Sequence, residues 1–282
     1  VHDTSKYKIR RERPLIFEHK HSDLFVGPAC PFMYPAHVHE GVEIVYVESG
    51  TQQITANGTS YLLTPGDILL IFPMVIHSYE GASEEDGSMC IGMNPDLINE
   101  FRTCFKTTLP RTPFYHVSEN DTELRQIIRT LRNIPSDYPP QITAYVHLFL
   151  ALLMPHMQLD PLEAYVDSNL IHRVLLYISD HIQEPLTLDS VSLAMGISRS
   201  HLSHIFSQRL HMNFRKFINS MRIEYACTLL QNPAYSIKEV TYACGYDNSR
   251  TFHRSFLAEV GMTPGDYKKR KHDGYHLNRR PA

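Results

Sequence analysis

Two groups of residues in this 282-residue chain have types and spacings suited to chemistry. The first lies in Pro35-Ala-His37-Val-His39-Glu-Gly-Val-Glu43. On extended backbone alternate side chains share a face, so His37, His39 and Glu43 can point the same way, with Val45 and Val47 continuing that inward side. His77 follows an apolar strand that ends at Phe72. Three imidazoles and one carboxylate can hold a Zn, Fe, Mn or Ni ion. They can equally line a small-molecule pocket, or pack and hydrogen-bond as structural groups. All three readings stay open on the residues alone. No obligatory cofactor is expected, and a divalent metal at these four residues is the exception the pattern allows.

The second group comes from an internal repeat. Leu186-Thr-Leu-Asp-Ser-Val-Ser-Leu-Ala-Met-Gly-Ile-Ser198 matches Tyr235-Ser-Ile-Lys-Glu-Val-Thr-Tyr-Ala-Cys-Gly-Tyr-Asp247, pairing Val191 with Val240, Ala194 with Ala243 and Gly196 with Gly245. After one inserted residue, Leu202 pairs with Phe252, Phe206 with Phe256 and Met212 with Met262. Each copy reads as a short helix, a small Ala that permits close helix approach, and a Gly where a positive φ stops the helix. Ser198 and Asn248 are the expected N-caps of the next helix. That helix keeps an apolar stripe (Leu202, Ile205 and Phe206; then Phe252 and Phe256) and leaves its opposite face polar. This is helix-turn-helix logic, with the second helix of each pair offered to a major groove. The base-reading candidates are Arg199, Ser200, Ser203 and His204 in the first copy, and Ser249, Arg250, His253 and Arg254 in the second. Arg pairs bidentately with guanine, while Ser and His reach base edges or phosphates. Arg209, Arg215, Lys216, Lys238 and Lys268 are candidate phosphate contacts. A long helix from about Phe214 to Gln231, buried through Phe217, Ile218, Met221, Ile223, Ala226 and Leu229-Leu230, spaces the two readers. They should sit about 34 Å apart to read one face of a duplex.

The elements that position the first group are short strands. Val42–Val47 is β-branched and aromatic, and Asn57-Gly58 between Gln52–Ala56 and Ser60–Leu63 signals a two-residue hairpin. Pro65-Gly66-Asp67 is a turn before a buried-looking strand through Phe72. Such a succession predicts a small barrel or jelly roll. Helical spacing then takes over in Glu119–Asn133, through Leu124, Ile127, Ile128 and Leu131, and in Ile142–Met157. The second of these is apolar around much of its circumference, so a dimer partner is expected to cover what the domain's own core does not.

Composition sets the outer bounds. Residues 1–164 hold 12 Lys/Arg against 20 Asp/Glu, a net of −8, and residues 165–282 hold 15 against 10, a net of +5. The basic back half is the polyanion binder and the acidic front half has a different job. No apolar run is long enough for a membrane span, and no basic segment leads into an apolar run as a signal peptide would. Cys30, Cys90, Cys104, Cys227 and Cys244 are scattered without metal-like spacing, which suits reduced thiols in the cytoplasm.

The stretch Leu170–Lys271 resembles the DNA-binding domain of the AraC/XylS family of bacterial transcription factors, above all Gly245-Tyr-Asp-Asn-Ser-Arg-Thr-Phe-His-Arg-Ser-Phe-Leu-Ala-Glu-Val-Gly-Met-Thr-Pro-Gly-Asp-Tyr267. The resemblance implies two recognition helices, near 199–208 and 249–258, in successive major grooves. The family's connecting-helix arginine falls on Arg222, with a mainly structural role. His211 stands where the family usually has Gly. The front half resembles the cupin motifs at His37, His39, Glu43 and Gly50, then Gly66, Pro73 and His77. The family's sensor domains look similar and bind a sugar or other small effector.

The expectation is thus an α+β chain. Residues 1–160 form a cupin-like effector-sensing and dimerisation domain, a β-barrel or jelly roll followed by helices. Residues 161–168 are a linker, and 169–282 an all-α double helix-turn-helix domain. The expected function is sequence-specific, non-enzymatic regulation of transcription under a small-molecule effector, a sugar or related metabolite. The effector residues are His37, His39, Glu43 and His77, which are also the ligands of any metal. Expected partners are double-stranded DNA, the effector, a second copy of the chain and RNA polymerase, with no membrane. The alternative is a metal-dependent cupin enzyme, a dioxygenase or isomerase, with an attached DNA-binding domain.

Overall fold

The computed structural model describes residues 15–18, 24–29, 33–83, 87–134, 139–162 and 170–272, with the side chains of 139 and 270–272 excepted. Cys30 and positions 163–168 of the expected linker lie outside the described residues. The chain divides into two compact units, 1–176 and 177–282.

In the first unit the strands are β1 (Ile16–Phe17), β2 (Leu24–Pro28), β3 (Tyr34–Val38), β4 (Val42–Val47), β5 (Gln52–Ala56), β6 (Thr59–Leu63), β7 (Asp67–Ile71), β8 (His77–Ala82) and β9 (Ser88–Met93). The helix α1 (Asn99–Thr107), the strands β10 (Thr108–Pro110) and β11 (Phe114–His116), the helices α2 (Thr122–Asn133) and α3 (Pro139–Leu153), and the strand β12 (Leu159–Pro161) follow. One sheet runs β1-β3-β8-β5-β6 and another β11-β7-β4-β9-β2, while β10 and β12 form a separate pair. Local signals account for much of this. Ala56 pairs with Thr59 across a two-residue loop in which Asn57 and Gly58 both take positive φ, 49° and 78°, the mirror-image turn that matches strand twist. β7 is buried along its whole length, as its unbroken apolar run predicts.

The expected cupin-like β-barrel or jelly roll is corrected here. Each sheet is open, ending at β1 and β6 or at β11 and β2, and no closed sheet forms among the described residues. Closure requires the two edge strands to pair at a consistent tilt and stagger. β1 offers two residues, and β6 turns Leu62 out to solvent. The α+β architecture stands, with sheets and helices in the first unit and helices alone in the second.

α2 buries Leu124, Ile127, Ile128 and Leu131, the four residues its spacing singles out. α3 puts Ile142, Val146, Phe149, Leu150 and Leu153 into the same core as the sheets. It leaves Ala144, Leu148 and Ala151 exposed along one strip. None of the helices among the described residues is long and apolar enough to cross a membrane.

The helix α4 (Leu170–Asp180) contains the division between the units. Its His172 is buried, and Nε2 donates to the Pro73 carbonyl at 2.8 Å. Burial, partly offset by that carbonyl, lowers the imidazole from the usual 6.5 to about 4. As pH falls from 6.5 towards 4 the unfolded chain takes up a proton that the folded chain refuses, so stability drops across that window. His172→Gln keeps a donor and removes the titration. We expect its unfolding free energy, followed by denaturant titration at stepped pH, to fall less than wild type between pH 6.5 and 4, by up to about 3 kcal/mol. Parallel losses in the two proteins would show that His172 does not titrate as described.

Candidate nucleic-acid interface and histidine cluster

In the second unit the first helix-turn-helix is α5 (Leu188–Met195) and α6 (Arg199–His204), which runs on through a wider π-type turn at Ile205–Arg209. α5 starts at Thr187, whose side chain exchanges hydrogen bonds with Ser190, and stops at Gly196 in the left-handed region, φ 67°. Ser198 caps α6 by accepting from the His201 amide. Both caps satisfy backbone groups that a short helix otherwise leaves bare. Leu202, Ile205 and Phe206 are buried, while Arg199, Ser200, Ser203 and His204 are all exposed. Arg199 reaches back to Asp189, Nη1 to Oδ2 at 3.3 Å, an exposed pair of little energetic weight. Ala194 lies exposed, so in this copy the small residue does not serve a close helix contact.

α7 (Phe214–Leu230) connects the two copies, and α8 (Ile237–Ala243), α9 (Ser249–Val260) and α10 (Pro264–His272) complete the unit. Asn213 caps α7 through the Arg215 and Lys216 amides. Ser236 and Glu239 cap α8 reciprocally, and Asn248 caps α9 by accepting from the Thr251 amide. Phe252 and Phe256 are fully buried against Ile223, Ala226, Cys227, Leu230 and Tyr267, whereas Ser249, Arg250, His253 and Arg254 are exposed. All eight base-reading candidates therefore occupy the bare faces of equivalent helices. Among the phosphate candidates, Arg209, Arg215, Lys216 and Lys238 are exposed. Lys268 instead donates Nζ to the carbonyls of Pro233 and Tyr235, tying α10 to the turn before α8.

Two positions test the finer sequence reading. His211 takes φ 47°, so it adopts the left-handed conformation that Gly261 adopts at φ 75° in the second copy. The backbone turn is kept and the His carries its strain. Arg222 donates Nε to Ile182 O and Nη2 to Glu184 O, and its guanidinium lies 5.6 Å from the Tyr246 ring centre. A Cβ on Gly245 would meet Gln183 O at 2.7 Å and Arg222 Nη2 at 2.9 Å, and φ there is +74°. Arg222 is a structural tie, and Gly245 is the residue that lets it close.

In the first unit the four residues singled out by sequence converge. His37 lies on β3, His39 just after it, His77 on β8 and Glu43 on β4, which belongs to the other sheet. Shared parity along one strand is therefore not what gathers them, because the chain changes sheets between His39 and Glu43. The ring centres of His37 and His77 are 3.9 Å apart, and those of His39 and His77 4.9 Å. All four residues are buried. His37 Nδ1 meets Pro35 O at 3.1 Å, His39 Nδ1 meets Gly41 O at 3.0 Å, and His77 Nδ1 meets Val75 O at 2.9 Å. Burial, with His77 nearby, pushes the His37 pKa down from 6.5 to about 2. Two further residues join the cluster that the histidine and carboxylate spacing does not single out. Glu18 Oε2 sits 3.5 Å from His37 Nε2, and Tyr79 donates its hydroxyl to Glu43 Oε1. Tyr79 shares parity with His77 on β8, a signal that was available.

A separate cavity of about 270 Å³ lies beside the cluster, lined by Ala56, Asn57, Thr59, Tyr61, Leu70, Phe72, Val75, Leu109, Pro110, Arg111 and Pro113. The segment 72–77 joins the two features. Phe72 and Val75 face the cavity, Met74 N donates to His39 O at 2.9 Å, and His77 sits in the cluster.

Comparison with known proteins adds to this geometry. A "Helix-turn-helix domain" family model matches residues 191–270, and an "AraC-like ligand binding domain" model matches residues 31–150. Together they cover more than half of the chain. The chain belongs to the AraC/XylS family. It is 22% identical to the uncharacterized HTH-type transcriptional regulator YdeC of Bacillus subtilis, over 83% of this chain and 86% of the relative. Identity is 30% to YijO of Escherichia coli, named in the same way, over 52% of each chain. It is 22% to the HTH-type transcriptional activator RhaS of Citrobacter koseri, over 84% and 88%. Among solved structures, apo ToxT of Vibrio cholerae aligns with a TM-score of 0.44 at 15% identity, over 89% of this chain and 99% of that one. The protein is a sequence-specific DNA-binding transcriptional regulator responsive to a small molecule, and it is not an enzyme. The family assignment stands without the cupin-like label on its front half, since the two sheets are open.

Proposed function

We propose that α6 and α9 enter successive major grooves of double-stranded DNA. Arg199, Ser200, Ser203 and His204 would face bases in one groove, and Ser249, Arg250, His253 and Arg254 in the other. The observation that carries this reading is the matched exposure of all eight at repeat-equivalent places, opposite stripes that are fully buried. Arg209, Arg215, Lys216 and Lys238 supply phosphate contacts, which add affinity and salt dependence but little sequence choice. A regulator so placed acts by touching or excluding RNA polymerase.

The small molecule is assigned to the cavity beside the histidine cluster. At about 270 Å³ it is smaller than the pockets of about 300–1,000 Å³ that take drug-sized ligands, which suits a metabolite of monosaccharide size. Asn57 and Thr59 offer polar groups, Arg111 lines the cavity with its guanidinium donating to Asp160, and Tyr61 offers a half-buried ring for a sugar face. His37, His39, Glu43 and His77, the effector residues that the sequence suggests, are buried beside this cavity rather than lining it. Occupation of the cavity changes DNA binding only to the extent that the ligand prefers one state of the protein. The chain acts as a homodimer through the exposed strip Ala144, Leu148 and Ala151 on α3.

Three measurements test these readings. Arg250→Ala should weaken binding to the preferred operator by about 1–3 kcal/mol and relax base choice at one position; an equal loss on every sequence would make Arg250 a phosphate contact instead. Thermal-shift screening against a panel of monosaccharides should find one that raises Tm in wild type and not in Tyr61→Ala, and the assignment fails if the shift is the same in both. Leu148→Glu should sediment as a monomer at concentrations where wild type is dimeric, whereas an unchanged dimer would place the interface elsewhere.

A further inference from the structure

We propose that His37, His39, His77 and Glu43 form a binding site for one divalent first-row transition-metal ion. The inference rests on the first unit alone and holds whichever residues touch DNA or effector.

A backbone carbonyl only accepts, so Pro35 O, Gly41 O and Val75 O fix the proton of each imidazole on Nδ1. In a neutral imidazole so oriented, the lone pair sits on the remaining nitrogen, Nε2. His39 Nε2 lies 3.4 Å from Glu43 Oε2, and His77 Nε2 lies 3.6 Å from Glu43 Oε1. A lone pair facing a carboxylate oxygen repels it unless a cation, a proton or a metal ion, stands between them. His77 Nε2 is buried without a hydrogen-bond partner among the described residues. Leaving such an atom bare forfeits its solvation with nothing in return.

The spacing fits coordination rather than hydrogen bonding. A charge-assisted N–H···O bond is about 2.7–2.9 Å long, shorter than both contacts. Ligand atoms each about 2.1 Å from a tetrahedral ion are about 3.4 Å from one another. Histidine nitrogens from all three residues lie within 4.8 Å of one another, all buried. Nδ1–H bound to a backbone carbonyl, with Nε2 turned inward, is how metal-ligating histidines are usually oriented. Tyr79, donating to Glu43 Oε1, holds the carboxylate in the same manner.

The donor set names the class of ion. Three neutral imidazoles and one carboxylate suit Zn²⁺, Ni²⁺, Co²⁺, Fe²⁺ or Mn²⁺, while Mg²⁺ and Ca²⁺ want oxygen alone and Cu⁺ wants sulfur. The ion would pin the segment 73–77 through His77 and through His39, whose carbonyl accepts from the Met74 amide.

The test uses full-length protein stripped with a chelator and titrated with ZnCl₂ by calorimetry. One tight equivalent per chain is expected. CoCl₂ should give the visible absorption of a four- or five-coordinate nitrogen–oxygen site. His77→Gln and Glu43→Gln, with their fold verified by circular dichroism, should each weaken the tight site more than about 100-fold, beyond the about 10–100-fold that losing an outer hydrogen-bond partner costs. The chain has 17 histidines, so a variant-free readout is also needed. In wild type labelled with ¹⁵N-histidine, zinc should shift three Nε2 resonances and leave the three Nδ1 atoms protonated. The proposal is overturned by the absence of a tight equivalent, by tight binding undiminished in both folded variants, or by zinc that leaves those Nε2 resonances in place.

Discussion

Phe217 on α7 meets the Phe206 ring at 5.6 Å, and about three turns along the same helix Cys227 packs with Phe252, Phe256 and Tyr267. One helix therefore serves two small cores. Neither α6 nor α9 has enough apolar surface to hold itself in place, because each gives a whole face to polar side chains. Both are pinned by a narrow stripe against a shared rod of 17 residues, about 25 Å long. A polar reading face can stay bare only because the stripe behind it is fully committed. Arg222 strengthens the middle of the rod by donating to Ile182 O and Glu184 O, which bridges the end of one segment and the turn where α8 stops at Gly245.

This explains why the second unit was so legible in sequence. Its determinants are local: caps within three residues, a left-handed residue (Gly196, His211, Gly245 or Gly261) after each helix of the two pairs, and a stripe at helical spacing. His211 shows how firm the backbone requirement is. The residue type departs from glycine, yet φ stays at 47°, so surrounding packing imposes the turn on a residue that resists it. Lys268 went the other way. Its charge suggested a phosphate contact, but no local pattern announces that two carbonyls 33 and 35 residues earlier will claim it.

In the first unit the same reading found strands and turns but not their closure. Asn57-Gly58 dictates a hairpin because both residues tolerate positive φ, and that information lies in two adjacent positions. Whether β6 meets a distant edge strand is decided by pairing across the whole unit, and alternation along each strand is silent about it. The histidine set was half legible for a related reason. His37 and His39 share a strand direction, but Glu43 arrives from the other sheet, Tyr79 from β8 alongside His77, and Glu18 from just after β1. Spacing identified donors that can meet, and only the packing of two sheets brings them to one point.

The segment from Phe72 to His77 carries most of the consequences. Met74 sits at φ 60°, a conformation that a non-glycine residue holds at a cost. Its amide is committed to His39 O, Val75 O to His77 Nδ1, and Pro73 O to His172 on α4. Phe72 and Val75 line the cavity. Six consecutive residues thus touch the cavity, the histidine cluster and the helix within which the chain passes from one unit to the next. A ligand that moved Val75 by even part of an ångström would have to strain the hydrogen bonds of its neighbours or break one of them, since close-packed interiors do not deform continuously. The discrete element that an effector could bias is therefore this short strained turn, with its three fixed carbonyl and amide bonds, rather than either sheet as a whole.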